Sequence, residues 1–156
     1  MKRASIMAVA VVLLAGYAYA GNYTDNGNGT VTDKNTGLMW QKEDDGTAYN
    51  WYAAAGVYDA KYNPTTKSVC GELTLAGYSG WRLPSNAELI GLADPSIPEP
   101  GPTIDAAYFP RTKPSVYWSS STQEAAGLGT VFRSGNIFVG HRGVNVWYVR
   151  CVRDGK

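Results

Sequence analysis

The stretch Leu73-Thr74-Leu75-Ala76-Gly77-Tyr78-Ser79-Gly80-Trp81-Arg82-Leu83-Pro84-Ser85-Asn86-Ala87-Glu88-Leu89 constrains the fold more than any other part of the chain. It reads as a short apolar strand, a tight turn and a helix whose start signals are all present. Gly77 and Gly80 tolerate backbone angles that a side chain forbids, so the chain can reverse around Tyr78-Ser79. Pro84 keeps Leu83 extended. Ser85 is then a natural N-cap, and Glu88 three residues later completes a capping box ahead of Leu89, Ile90 and Leu92. In an extended segment Trp81 and Leu83 share the core face, while Arg82 points the other way. Nothing here pairs a nucleophile with a base, so the stretch is a structural corner.

The corner sits in a chain of 156 residues, enough for one domain with a real core. The first residues belong to a different kind of segment. Lys2 and Arg3 precede an apolar run from Ile6 to Ala15, and Ala18-Tyr19-Ala20 offers the small-x-small pattern of a signal peptidase site. Residues 1–20 therefore read as a secretory signal, and 21–156 as the mature domain, exported to the periplasm, cell surface or medium. The apolar run is short for a bilayer span, no second one follows, and no cysteine marks a lipoprotein site. Loss of Lys2 and Arg3 takes the balance from 14 basic and 13 acidic residues to 12 and 13, a net charge of −1. That balance argues against a nucleic-acid partner.

Cys70 and Cys151 are the only cysteines, and His141 is the only histidine. In an oxidising compartment such a pair reads as a disulfide rather than a metal site. It would tie the last strand to the segment entering the corner. The chain-entropy model credits so long a loop with roughly 4–5 kcal/mol.

Between Asn22 and Gln41 two hairpins are expected, around Asp25-Asn26-Gly27-Asn28-Gly29 and Asp33-Lys34-Asn35-Thr36-Gly37. Asp25, Asn28 and Asp33 could also serve a calcium loop, but Gly27 and Gly29 occupy ligand positions and no glutamate closes it. Asn50 caps an expected helix to about Lys61, with Trp51, Ala54, Ala55 and Tyr58 on one face. Asp94 to Pro114 is a long irregular loop holding six of the eight prolines. Strands follow at Ser115–Ser121, Gly129–Arg133, Asn136–Val139 and Asn145–Arg153, with Ser134-Gly135 as a two-residue turn. In the last of these, Trp147, Val149 and Cys151 alternate with Tyr148, Arg150 and Val152. Trp40, Trp81 and Trp118 sit in apolar strand motifs and are expected in the core. The class is α+β: a twisted antiparallel sheet with two helices.

Five segments in this order resemble a known family. They are Asp25-Asn26-Gly27-Asn28-Gly29-Thr30-Val31-Thr32-Asp33, Thr36-Gly37-Leu38-Met39-Trp40, Trp81-Arg82-Leu83-Pro84, Tyr117-Trp118-Ser119-Ser120 and Val149-Arg150-Cys151-Val152-Arg153. Together they look like the Lcl C-terminal domain family, named for the terminal domain of a Legionella collagen-like surface protein, and the likeness spans Tyr23 to Arg153. The resemblance implies a C-type-lectin-like fold, with the termini meeting in one sheet and a long loop region displayed on one side. It also implies that Cys70–Cys151 matches that fold's bridge from helix to last strand. The namesake domain is an adhesin module that binds sulfated polysaccharide. No Gly-x-y tract is present here, so a collagen-like trimer stalk does not carry over.

The fold family also contains the formylglycine-generating oxidases, which need redox-active cysteines. Here both thiols are assigned to the bridge. A serine hydrolase would need His141 beside Ser119, Ser120 or Ser121 with an orienting carboxylate. Asp44-Asp45 reads as a solvated acidic pair. The calcium-lectin triplets are not matched by Glu99-Pro100-Gly101 or Trp118-Ser119-Ser120. The expectation is therefore a non-enzymatic binding or adhesion module with no cofactor and no metal, recognising an acidic polysaccharide or surface glycan. A catalytic relative of the oxidase type and a structural component of an envelope assembly are the alternatives. The expected ligand residues are Arg111 and Lys113 on the proline-rich loop with Arg133 and Arg142 on the hairpins.

Overall fold

The computed structural model describes residues 22–155; the expected signal segment lies outside them. In chain order the elements are β1 (Tyr23–Asp25), β2 (Thr30–Asp33), β3 (Leu38–Gln41), α1 (Trp51–Ala55), α2 (Asn86–Ile90), β4 (Val116–Gln123), β5 (Ala126–Val131), β6 (Asn136–His141) and β7 (Val152–Asp154). The class is α+β as expected, but the strands form two antiparallel sheets instead of one: β1-β2-β3-β7 and β4-β5-β6. The first sheet joins the N-terminal hairpins to the C-terminal strand.

Both N-terminal hairpins are built by turn chemistry. Gly27 and Gly29 adopt φ of 71° and 87°, which only the Asn-Gly steps allow without strain. The oxygens that a calcium loop would use are spent locally. Asp25 accepts from the Gly27 amide, Asn28 from Thr30, and Asp33 from the Asn35 amide and the Thr36 hydroxyl.

The corner forms with two changes. Leu75 and Tyr78 bond to each other across Ala76-Gly77, whose φ of 55° and 77° define the reversal. The turn thus falls before Tyr78-Ser79, and Leu73–Leu75 contributes only an isolated bridge. Downstream the local signals hold. Ser85 accepts from the Glu88 amide at 3.2 Å while Glu88 accepts from the Ser85 amide at 2.8 Å. Trp81 and Leu83 are buried, and Arg82 on the opposite side grips Glu88 with two 2.8 Å bonds. That guanidinium, followed by the Ser85 amide, overcomes partial burial and brings the Glu88 carboxyl down to about 2.

Helix α1 starts on the Asn50 cap, 3.0 Å from the Ala53 amide. It ends at Ala55 and not near Lys61, because Gly56 turns left-handed (φ 71°) and returns its amide to Tyr52. Trp51 and Ala54 are buried, while Tyr58 lies past the end and is 61% exposed.

The β5–β6 connection also differs from expectation. Phe132 is fully buried, so the turn spans four residues, Phe132 to Gly135, and both Ser134 and Gly135 donate to Val131. The expected strand over 145–153 survives only as β7 plus bridges from Trp147 to Tyr49 and from Tyr148 to Tyr117. The segment changes partner residue by residue as it passes from one sheet to the other. Its two alternating faces enter two cores. Trp147, Val149 and Cys151 pack with Trp51, Trp81 and Trp118, whereas Val152 joins Trp40, Leu89, Phe109 and Tyr117, with Tyr148 at the edge. Trp40, Trp81 and Trp118 are all core residues, at 1%, 2% and 0% exposed.

In the first core the tryptophans rest on a floor without side chains. A Cβ on Gly127 would lie 2.6 Å from Trp51, and one on Gly140 would lie 2.4 Å from Trp147. The rings of Trp118 and Trp147 meet at a centroid distance of 3.8 Å. Cys70 and Cys151 are bonded and buried beside them, joining the segment before the corner to the tail.

Candidate functional site

The proline-rich loop has no regular structure, yet it is pinned along its length. Asp94 donates its amide to Thr103, and Thr103 donates both its amide and its hydroxyl to the Phe132 carbonyl. Ile104 and Phe109 are buried in the second core. Thr112 is buried, donates to the Phe109 carbonyl and receives the Arg150 guanidinium at 2.8 Å. A surface of irregular backbone is thereby held on a rigid base.

The loop's far end leads into a buried charge cluster. The sequence reading placed Asp44 in a solvated pair, and this needs correction. Its side chain is only 3% exposed. It accepts from the Tyr117 hydroxyl at 2.6 Å and from Lys113 Nζ at 2.9 Å, with Arg150 3.6 Å away. Burial pushes this carboxyl up, but the Tyr117 and Lys113 hydrogen bonds and the Arg150 charge outweigh it and hold it below the usual carboxylate range. Arg150 is 0% exposed. Besides Thr112 it donates to the Gln41 and Lys42 carbonyls, and its Cζ lies over the Phe109 ring, 5.2 Å from the centroid. Burial pulls the guanidinium down, and the Tyr117 and Asp44 neighbours pull it back up. Burial, reinforced by the hydrogen bond to Asp44, drives the Tyr117 hydroxyl far above its ordinary value. Every member is thus committed to another, and the cluster locks the loop, the β3–α1 connection and the tail together. Asp45, by contrast, is exposed and bonds Tyr49.

One sequence signal points to the buried arginine, though not to which carboxylate meets it. Arg150 lies between Val149 and Cys151 on a segment whose other alternate positions, Tyr148 and Val152, are apolar too. A segment apolar on both faces is buried on both, and a buried arginine requires a carboxylate.

The four basic residues fall in three places. Arg111 and Lys113 come together beside the consecutive acids Glu43 and Asp44: Arg111 is 82% exposed, 3.3 Å from Glu43, whereas Lys113 is the buried cluster's own cation and lies over Tyr148 at 4.5 Å. Arg133 is 63% exposed and 3.7 Å from Glu99. Arg142 sits over the Trp51 ring, its Cζ 4.6 Å from the centroid, and donates to the Glu124 carbonyl. Arg133 lies in the β5–β6 turn and Arg142 follows the other end of β6, so the length of the strand, about 17 Å, separates them. The start of the loop is acidic. Asp94 and Asp105 join Asp33 around Tyr23 and a cavity of about 60 Å³. Burial and these three carboxylates raise the Tyr23 hydroxyl to about 12.

Among the described residues, Cys70 and Cys151 are bonded to each other, and two of the three serines considered beside His141 are engaged elsewhere. Ser119 donates to the Leu128 carbonyl, and Ser121 accepts the Asn86 amide at the start of α2. His141 Nδ1 accepts from the amides of Gly143 and Val144, in its own turn.

The family model described as Lcl C-terminal domain matches residues 29–153, most of the chain. The chain belongs to the Lcl C-terminal domain family. A comparison with curated proteins gives no match. In this Lcl C-terminal domain, the segments that carry the family likeness are chiefly scaffold. Trp40, Trp81, Trp118 and Arg150 are all buried, and the Asp25–Asp33 stretch is the β1–β2 turn with strand β2.

Proposed function

We propose that this Lcl C-terminal domain is an exported, non-enzymatic binding or adhesion module with a C-type-lectin-like fold, and that its ligand is an acidic polysaccharide met on the proline-rich loop face. The observation that carries this reading is the loop itself: some twenty residues without regular structure, anchored through Thr103, Ile104, Phe109 and Thr112. Ordered irregular surfaces on rigid supports are where recognition is placed in folds of many kinds. A disulfide fits an oxidising compartment, and no helix among the described residues is long and apolar enough to cross a membrane. Both thiols are consumed in the bridge, which removes the group an oxidase-type relative would use.

The anion contacts are assigned to Arg111, with Arg133 as a second, separate contact. Both are mostly exposed and held only by surface carboxylates, from which an anionic chain can compete them away. Lys113 supports the site from beneath, as the partner of Asp44. The test is binding of sulfated, carboxylated and neutral polysaccharides across a salt series. Binding to the acidic chains should weaken steeply with salt. Arg111→Ala/Arg133→Ala should lower affinity on the order of tenfold with an unchanged melting temperature. Salt-insensitive binding, or full affinity in the double variant, would reject this face.

A further inference from the structure

Strand β6 is an edge strand without the usual protection. It pairs only with β5, and the backbone of Ile137 to Gly140 has no other partner among the described residues. Edges are normally blunted by charge, proline or a bulge. From Ser134 to His141 there is no Asp, Glu, Lys, Arg or Pro, and the sheet's one register shift lies in the β4–β5 pairing. Instead Ile137, Phe138 and Val139 are 53%, 50% and 50% exposed. Val144 and Val146 follow at 66% and 57%, in the turn that Asn145 folds back onto His141.

We infer that β6 docks against β6 of a second copy of this chain, antiparallel about Phe138, joining two three-stranded sheets into one of six. Three observations select this occupant. First, the edge has no formal charge, so self-pairing meets no repulsion. Second, the register about Phe138 is self-complementary: Ile137 faces the second copy's Val139 on one side of the sheet, and Phe138 faces its counterpart on the other, beside Trp147, where each already packs at 5.5 Å. A two-fold contact of this kind closes and does not propagate. Third, apolar area is available on both faces of the edge. Ile137 and Val139 on one face, Phe138 on the other, and Val144 and Val146 in the adjoining turn are half-exposed, on the order of 500 Å² per copy, so that two copies can bury at most about 1,000 Å², the floor for a specific association. Such a pair would present two copies of any ligand surface, but the pairing does not depend on what that surface binds.

Sedimentation velocity of the mature, oxidised protein tests the inference. The wild type should pass from monomer to dimer by about 100 μM. Ile137→Lys and Val139→Glu, each at a half-exposed position, should remain monomeric with wild-type near-ultraviolet circular dichroism. The Ile137→Lys/Val139→Glu double variant should dimerise again, because the register sets each new lysine opposite the other copy's new glutamate. A monomeric wild type, whatever else it captures, overturns the proposal. So does a dimer that survives both single changes, or a double variant that stays monomeric.

Discussion

Arg150 and Asp44 show how much can depend on one pair of side chains. Removing the carboxylate leaves a guanidinium with no exposure and its nearest acid gone. Asp44→Ala should therefore destabilise the domain by about 3–5 kcal/mol in urea titration, the usual cost of stranding a buried charge. Lys113→Ala should cost less, since Lys113 is one-third exposed and water can replace it at the rim. Acid should act on the same groups. Asp44 and Glu88 both have carboxyls below the ordinary range in the folded state, Glu88 at about 2. Such groups contribute stability that is complete above the unfolded value and lost as pH falls through the folded one. Melting temperature should thus hold from neutrality to about pH 5 and drop between about pH 4 and 2. Glu88→Gln should flatten part of that drop. The three core tryptophans could be read from strand motifs, but the burial of Asp44 could not. A carboxylate's neighbours in sequence, Glu43 and Asp45, both look to solvent, and its partners lie 69, 73 and 106 residues away.

Elements whose cause is local were legible, and those whose cause is distant were not. The α2 cap needs only Ser85 and Glu88, and it formed as the sequence indicated. Ser85→Ala should cost about 1 kcal/mol. The length of α1 was misjudged because Gly56, a glycine that a helix could tolerate, instead closes it. The last strand was overestimated because its partners change from Tyr49 to Tyr117 to β3, which no periodicity records. The glycine floor is likewise a property of three packed elements. Gly140→Ala sets a methyl group 2.4 Å from Trp147, whose ring already meets Trp118 at a centroid distance of 3.8 Å. Overpacking there should cost about 1–3 kcal/mol, visible as a lower melting temperature and altered tryptophan fluorescence.

Across the molecule, a covalent tie and a shared sheet set the architecture. Alkylation without reductant should label neither Cys70 nor Cys151, and reduction should lower stability by roughly 4 kcal/mol on the chain-entropy model. The bridge and the class were legible because two cysteines allow one pairing and strand composition fixes the class. The division into two sheets was not, since the tail that separates them reads as one continuous strand. Of the expected ligand residues, Arg111 and Lys113 come together, while Arg133 and Arg142 part along the hairpin. Turns that look adjacent in sequence stand at opposite ends of a strand.

The first sheet has a mechanical consequence. Tyr23 pairs with Asp33 and Leu38 with Asp154, which places the outer ends of β1 and β7 at the same end of the sheet, about 15 Å apart across three strand spacings. Tension applied at the C-terminal end would pull β7 away from β3 one rung at a time, from Asp154 through Arg153 to Val152. The next residue is Cys151, where the load passes into a sulfur–sulfur bond to Cys70 and away from the hydrogen-bonded ladder. Peeling therefore stops after three residues: it withdraws Val152 from the second core, but the core of Trp51, Trp81, Trp118 and Trp147 around the bridge lies beyond that stop. The domain can lose its last strand to such a load and keep its covalent tie.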